Sequence, residues 1–124
     1  MVTNEHWSNP YMNVEIKTLD HAKVVELEGE IDANTAPELQ EKLLPLIEEK
    51  HQILLNMIKV PYMSSAGLRM LLLLSRQSEM TRDSSVILAG LSEELRDTMS
   101  ATGFLDFFTI HDTLENAIAA IQNQ

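Results

Sequence analysis

The stretch VELEGEIDANTAPE, residues 25–38, decides the fold because its hydrophobic period changes within it. Up to Ile31, apolar residues and a glycine alternate with three glutamates, which is typical of a strand with one face in water. Thr35 and Glu38 then match a capping box, in which the hydroxyl and the carboxylate bind free amides of a first helical turn. The stretch therefore predicts a β-strand followed by a helix that begins near Ala36.

The flanking sequence continues this alternation. Val14 and Ile16 alternate with charged residues, and the connection at residues 19–22 suits a hairpin to the strand described above. The predicted inward stripe of the first helix is Ala36, Leu39, Leu43, Leu46 and Ile47. Pro45 is expected to kink or loosen the last turn of that helix.

Further elements are predicted downstream. They are a strand at 53–57, a helix from the serine segment to about 80, a strand at 86–89, a helix at 92–102, a strand at 107–110 and a helix at 113–122. Asp112 and Glu115 could form a capping box for the last helix. The order predicts an α/β domain with a mixed sheet of four to five strands, an N-terminal hairpin followed by parallel strands, and about four helices.

Composition narrows the class of protein. The 124 residues include 9 basic and 19 acidic side chains, a net charge of −10, which disfavours binding to nucleic acid or an anionic membrane. The absence of cysteine excludes a disulfide scaffold, a thiol nucleophile and a thiolate zinc site. The longest apolar run, 70–74, is far too short to span a membrane. Residues 1–11 show no periodicity and are interpreted as an N-terminal leader before a domain at 12–124.

Motifs for metal or cofactor chemistry are missing from the sequence. His6, His21, His51 and His111 lack metal-binding spacing and are expected to be surface residues. The four glycines form no phosphate-binding loop, so no cofactor is expected.

The informative segment for function is 63–68, where two serines precede a strongly apolar helix. Ser64 can cap that helix, and Ser65 lies at its start. Ala66 and Gly67 are small, which lets the first turn approach the sheet closely. From these residues alone, an ordinary serine cap followed by a packing glycine is favoured over a functional serine. A serine-hydrolase elbow fits poorly because G-x-S-x-G is absent.

Three segments in order resemble the STAS-domain anti-sigma factor antagonists. Residues 62–68 (YMSSAGL) are similar to the phosphorylation loop of that family. Residues 27–36 are similar to its second strand and first helix entry, and residues 99–108 to the ending of its third helix. The resemblance extends from about Asn13 to Ile121 and implies a single STAS domain.

The resemblance implies a cytoplasmic, monomeric, non-catalytic phosphoprotein that regulates transcription by partner switching. The unmodified protein would bind one partner, a serine kinase of the histidine-kinase-like ATPase type that also acts as an anti-sigma factor, and would free the client of that partner. Phosphorylation would release it, and a PP2C-type phosphatase would reset it. The phosphoacceptor falls on Ser65, with Ser64 as the alternative because it stands where an aspartate is common. The implied partner-binding residues are Asp32, Asn34, Ser64, Ser65, Ala66, Gly67 and Arg69.

Three roles remain open for Asp32: it could order the loop, contact the kinase, or simply be an acidic residue that the helix dipole favours at the N-terminus. At the level of the whole protein, a non-catalytic STAS adaptor or scaffold subunit in a larger signalling or transport assembly is the alternative function.

Overall fold

A mixed sheet forms the centre of the structure, a computed structural model that describes residues 4–20, 22–49 and 52–123. The elements in chain order are β1 Asn4–Asn9, β2 Met12–Leu19, β3 Ala22–Gly29, α1 Ala36–Glu48, β4 Gln52–Lys59, α2 Ser65–Met80, β5 Ser85–Ala89, α3 Glu93–Ala101, a 3₁₀-helix Phe104–Phe107, β6 Thr109–His111 and α4 Leu114–Gln122. The strands neighbour one another in chain order, with β1, β2 and β3 antiparallel and the pairs from β3 to β6 parallel.

Helices cover the two faces of the sheet unequally. The larger core lies between one face and helices α1, α2 and α3, and Leu43, Leu71 and Met99 are each completely buried there. Three crossovers that advance the strand order in one direction place their helices on the same face when each is right-handed. On the other face, α4 buries Ala117 against Leu54 and its neighbours in β3 and β5.

The predicted inward stripe of α1 is confirmed. Its buried residues are Ala36, Leu39, Leu43, Leu46 and Ile47. The helix continues through Pro45 to Glu48, and the Glu49 N–H donates to the Pro45 carbonyl at 3.0 Å. The central strand was also predicted correctly, because 53–57 is buried throughout.

The prediction of four to five strands is wrong by one or two, since the described residues form six. The additional strand is β1, which lies within residues 1–11, the stretch interpreted as a leader. All six of its residues pair with β2, and Trp7 packs against the larger core. Its other side chains are polar, so the strand has no apolar alternation to reveal it.

Three local predictions near the C-terminus and at α1 are corrected by the structure. The last strand begins at Thr109 because residues 104–107 form the 3₁₀-helix. The cap of α4 is Thr113, whose hydroxyl accepts from the Asn116 N–H at 3.1 Å, rather than Asp112. The Thr35 hydroxyl makes no cap hydrogen bond to α1.

His6 is exposed on β1 and His111 half-buried on β6, while His21 and His51 lie outside the described residues. Within the described ranges, no helix is both long and apolar enough to cross a membrane.

Candidate functional site

The candidate site lies where the chain leaves β3 and β4 and enters α1 and α2. Ile31 and Met63 form an isolated parallel bridge just beyond the two strands. The Ile31 N–H donates to the Tyr62 carbonyl at 3.1 Å, and the Ser64 N–H donates to the Ile31 carbonyl at 2.8 Å. These bonds bring the entry to α1 and the start of α2 side by side, which places the two sequence-predicted segments at one surface.

The two serines at the start of α2 differ in exposure. Ser65 is the first helical residue and is exposed. Ser64 occupies the N-cap position with an extended backbone, but its hydroxyl does not cap the helix. The Ser64 Oγ is instead buried and has no hydrogen-bond partner within the described part of the chain. The prediction that Ser64 caps α2 is therefore correct for its position and wrong for its hydroxyl.

Gly67 allows α2 to lie directly against the Ile31–Met63 bridge. A Cβ at this buried position would lie 2.5 Å from Met63 Cγ, 2.8 Å from the Ile31 carbonyl oxygen and 2.9 Å from Ile31 Cγ2. Real Cβ contacts are essentially never this short, so only glycine fits without movement. The close approach expected of Gly67 is thus made to this chain's own backbone.

Asp32 closes a turn ahead of α1. Its Oδ1 accepts from the Asn34 N–H at 2.9 Å and from the Thr35 N–H at 3.2 Å. The Thr35 hydroxyl accepts from the Asp32 N–H at 3.0 Å and donates to the Glu30 carbonyl at 2.8 Å. Since the hydroxyl points back to the end of β3, it is not available for the predicted capping box. Carboxylate and hydroxyl together hold the loop beside the serines.

The remaining predicted residues surround this point. Ala66 is half-buried in the first turn of α2, and Asn34 and Arg69 are exposed. Arg69 lies one helical turn beyond Ser65 and makes no ion pair with any described residue. Tyr62, 52% exposed, was not selected as a site residue from the sequence, although a large aromatic side chain before a functional serine is a usable signal.

The chemistry available at this surface is that of an exposed hydroxyl at the N-terminus of a helix. The first turn of α2 carries no acidic residue, so no side-chain charge there opposes the positive end of the helix dipole. No group of three or more histidine, aspartate or glutamate side chains suited to a metal ion occurs in the described residues. The arrangement is suited to carrying an anion at Ser65.

Comparison with known proteins defines the class first: residues 13–117 match the STAS domain family model. The fold agrees with an anti-sigma factor antagonist from Mycobacterium paratuberculosis at a TM-score of 0.80 and 22% identity, covering 94% of this chain and 99% of that one. SpoIIAA in its unphosphorylated form aligns at 0.73 and 21%, covering 90% and 97%.

Curated relatives narrow the class to one group. The anti-sigma-B factor antagonist of Staphylococcus epidermidis is 32% identical over 107 residues, which cover 84% of this chain and 98% of the relative. That of Bacillus subtilis is 32% identical over 107 residues, covering 86% and 97%. The chain belongs to the STAS-domain anti-sigma factor antagonist family.

Proposed function

We propose that this protein is an anti-sigma factor antagonist controlled by phosphorylation of Ser65. The unmodified form binds one partner, a serine kinase of the histidine-kinase-like ATPase type that also acts as the anti-sigma factor. This binding frees the client of that partner. The kinase phosphorylates Ser65 and loses its hold on the protein, and a PP2C-type phosphatase restores the binding form. The antagonist role is supported by the two relatives at 32% identity. This cycle requires no catalysis by the chain itself.

The observation that carries the proposal is the contrast between the two hydroxyls. A kinase must bring the acceptor oxygen in line with the transferred phosphoryl group, so the oxygen has to be accessible. Ser65 is exposed, whereas the Ser64 Oγ is buried. This difference favours Ser65 over the alternative acceptor Ser64.

The fold tolerates a phosphate at Ser65. Phosphorylation adds about −1.5 to −2 charges. The helix dipole favours an anion at its N-terminus by about 0.3 to 1 kcal/mol, and the first turn of α2 contains no carboxylate to repel it. The domain therefore keeps its structure when the hydroxyl is modified.

An interface responds differently to the same charge. A charge buried against a partner without compensation typically costs about 2 to 5 kcal/mol. At about 1.4 kcal/mol per tenfold, this is a loss of roughly thirtyfold to several thousandfold in affinity. Because this penalty exceeds the gain from the dipole, phosphorylation breaks the association and leaves the domain folded.

Asp32 and Gly67 support the presentation of Ser65 in this proposal. The Asp32 carboxylate orders the neighbouring turn through the Asn34 and Thr35 amides. Gly67 seats α2 against Ile31, which fixes the position of the first turn. Asn34, Ala66 and Arg69 contribute the surrounding contact surface.

Site-resolved mass spectrometry tests the acceptor. Incubation with the cognate kinase and ATP is expected to add one phosphate, on Ser65, in the wild type and in Ser64→Ala, and none in Ser65→Ala. Phosphate on Ser64 only, or on neither serine, would contradict the assignment. Size-exclusion chromatography of the complex tests the cycle, because ATP should dissociate it. A complex that persists while Ser65 is fully phosphorylated would favour an adaptor role.

A further inference from the structure

The exposed face of α2 carries a continuous row of side chains that begins at Ser65. A helix turns by about 100° per residue, so an arc of about 80° holds Ser65, Arg69, Leu73, Arg76 and Met80, which follow one another at spacings of three or four residues. Leu73 and Met80 in this row are large apolar side chains that are 40% and 81% exposed. The row, called the α2 ridge below, consists of Ser65, Arg69, Leu73, Arg76 and Met80.

The ridge carries two positive charges and no carboxylate, on a protein whose net charge is negative. The sequence contains 19 acidic residues and has a net charge of −10, yet none of those residues lies between positions 50 and 78. The exposed Glu79, three residues after Arg76 on α2, lies beside the ridge and forms no ion pair with it. Arg69 and Arg76 are both exposed, and both project from the helix surface within that interval. The ridge therefore has a charge opposite to that of the molecule as a whole.

The two arginines are also uncompensated. Lys17, Lys59 and Arg96 each form an ion pair with a carboxylate. In contrast, Arg69 and Arg76 pair with no carboxylate in the described ranges. Seven residues at about 1.5 Å each separate them by about 10 Å along the helix, with Leu73 between them. Their guanidinium groups retain free donors for carboxylates of a partner.

We propose that the α2 ridge docks against an acidic protein surface that receives Leu73 in an apolar contact. The inference rests on the proposed function, because the partner is the kinase that binds at Ser65, and it extends the contact about 22 Å along α2. Two arginines separated by an apolar side chain are complementary to a partner surface on which two carboxylates flank an apolar patch. A nucleic acid or an anionic bilayer would meet the repulsion of the surrounding negative surface.

Charge reversal on the ridge tests the proposal. The affinity of the purified cognate kinase for Arg69→Glu and for Arg76→Glu is expected to fall at least tenfold at low salt, with a smaller difference at high salt because ions screen exposed charges. Arg82→Glu is the matched control, since Arg82 is an exposed arginine without a carboxylate partner in the described ranges and follows the end of α2. It changes the net charge equally, and its effect should stay within about twofold.

The outcomes separate this inference from the proposed function. If wild-type protein binds the kinase and the ridge variants lose no more affinity than Arg82→Glu, the ridge inference is overturned and the proposed function stands. If wild-type protein does not bind the kinase, both fail. Sedimentation with phosphatidylglycerol vesicles that is strong for wild type and lost in Arg76→Glu would assign the ridge to a membrane and overturn the inference. Circular dichroism of each variant must match wild type, so that loss of binding reports on the ridge.

Discussion

Substitution of Gly67 by alanine tests the contact that seats α2. Alanine favours a helix over glycine by about 1 kcal/mol, so a helix with free space at this position would be stabilised. Here the new methyl group would lie 2.5 Å from Met63 Cγ and 2.8 Å from the Ile31 carbonyl oxygen. The Ile31 oxygen is backbone and already accepts from the Ser64 N–H, so it cannot move by a change of rotamer.

The steric term is expected to exceed the propensity term. Overpacking of a well-packed site costs typically about 1 to 3 kcal/mol. Subtracting the gain in helix propensity, and placing this contact in the upper part of the range because backbone is involved, we expect a net loss of about 1 to 2 kcal/mol. For a chain of this size, that loss lowers the thermal midpoint by roughly 3 to 10 °C.

Urea unfolding followed by circular dichroism measures the change, with Ser65→Ala as the control. Ser65→Ala alters the same turn at an exposed position and should change the free energy of unfolding by less than about 0.5 kcal/mol. A Gly67→Ala protein that is as stable as wild type, or more stable, would refute the close seating of α2 against Ile31.

Two further predictions concern hydrogen bonds elsewhere in the molecule. Thr35→Val removes the hydroxyl that joins the Asp32 N–H and the Glu30 carbonyl, and should lower the free energy of unfolding in urea by about 1 to 3 kcal/mol. Thr35→Ser keeps the hydroxyl and should recover most of that stability. Equal losses of stability in the two variants would exclude the hydroxyl as the cause. The hydrogen bond from Asn13 and, next, the charge of Lys59 lower the pKa of Glu28, so Asn13→Ala should raise that pKa in an NMR titration. Because the folded-state pKa is depressed, these contacts stabilise the fold above the unfolded pKa, and their contribution is lost as pH falls through the folded pKa. An unchanged Glu28 titration would show that the Asn13 contact is not maintained in solution.

The spacing of hydrophobic residues correctly predicted the helices and strands that bury one regular face. The α1 stripe from Ala36 to Ile47 was correct because a helix packed on a sheet requires that spacing. Strand β1 was not predicted because only Trp7 reaches the core, and pairing with β2 rather than burial holds the strand in place. An edge strand of this kind depends on backbone hydrogen bonds, which leave no pattern in the side chains.

Local hydrogen bonding was predicted less well than packing. Thr35 satisfies the end of β3 in preference to the first turn of α1, although the sequence offers a complete capping box. Competition between a local partner and one supplied by the tertiary structure cannot be decided from spacing.

The candidate site illustrates the same limit. The serine segment and its place at the start of α2 were predicted from sequence, but the exposure of each hydroxyl was not. Ser64 and Ser65 are adjacent and chemically alike. The backbone bonds that join Ile31 to Tyr62 and to Ser64 position the segment so that one hydroxyl is buried and the other is exposed. Those bonds join residues about thirty positions apart, so the distinction exists only in the folded chain.

The most direct test measures one sample in two forms. Unmodified and Ser65-phosphorylated protein are titrated into the purified kinase by isothermal calorimetry, and the thermal midpoint of each form is recorded alone. The phosphorylated form is expected to bind at least about thirtyfold more weakly, and the two midpoints are expected to agree within a few degrees. Equal affinities, or a loss of affinity that accompanies unfolding of the phosphorylated domain, would contradict this expectation.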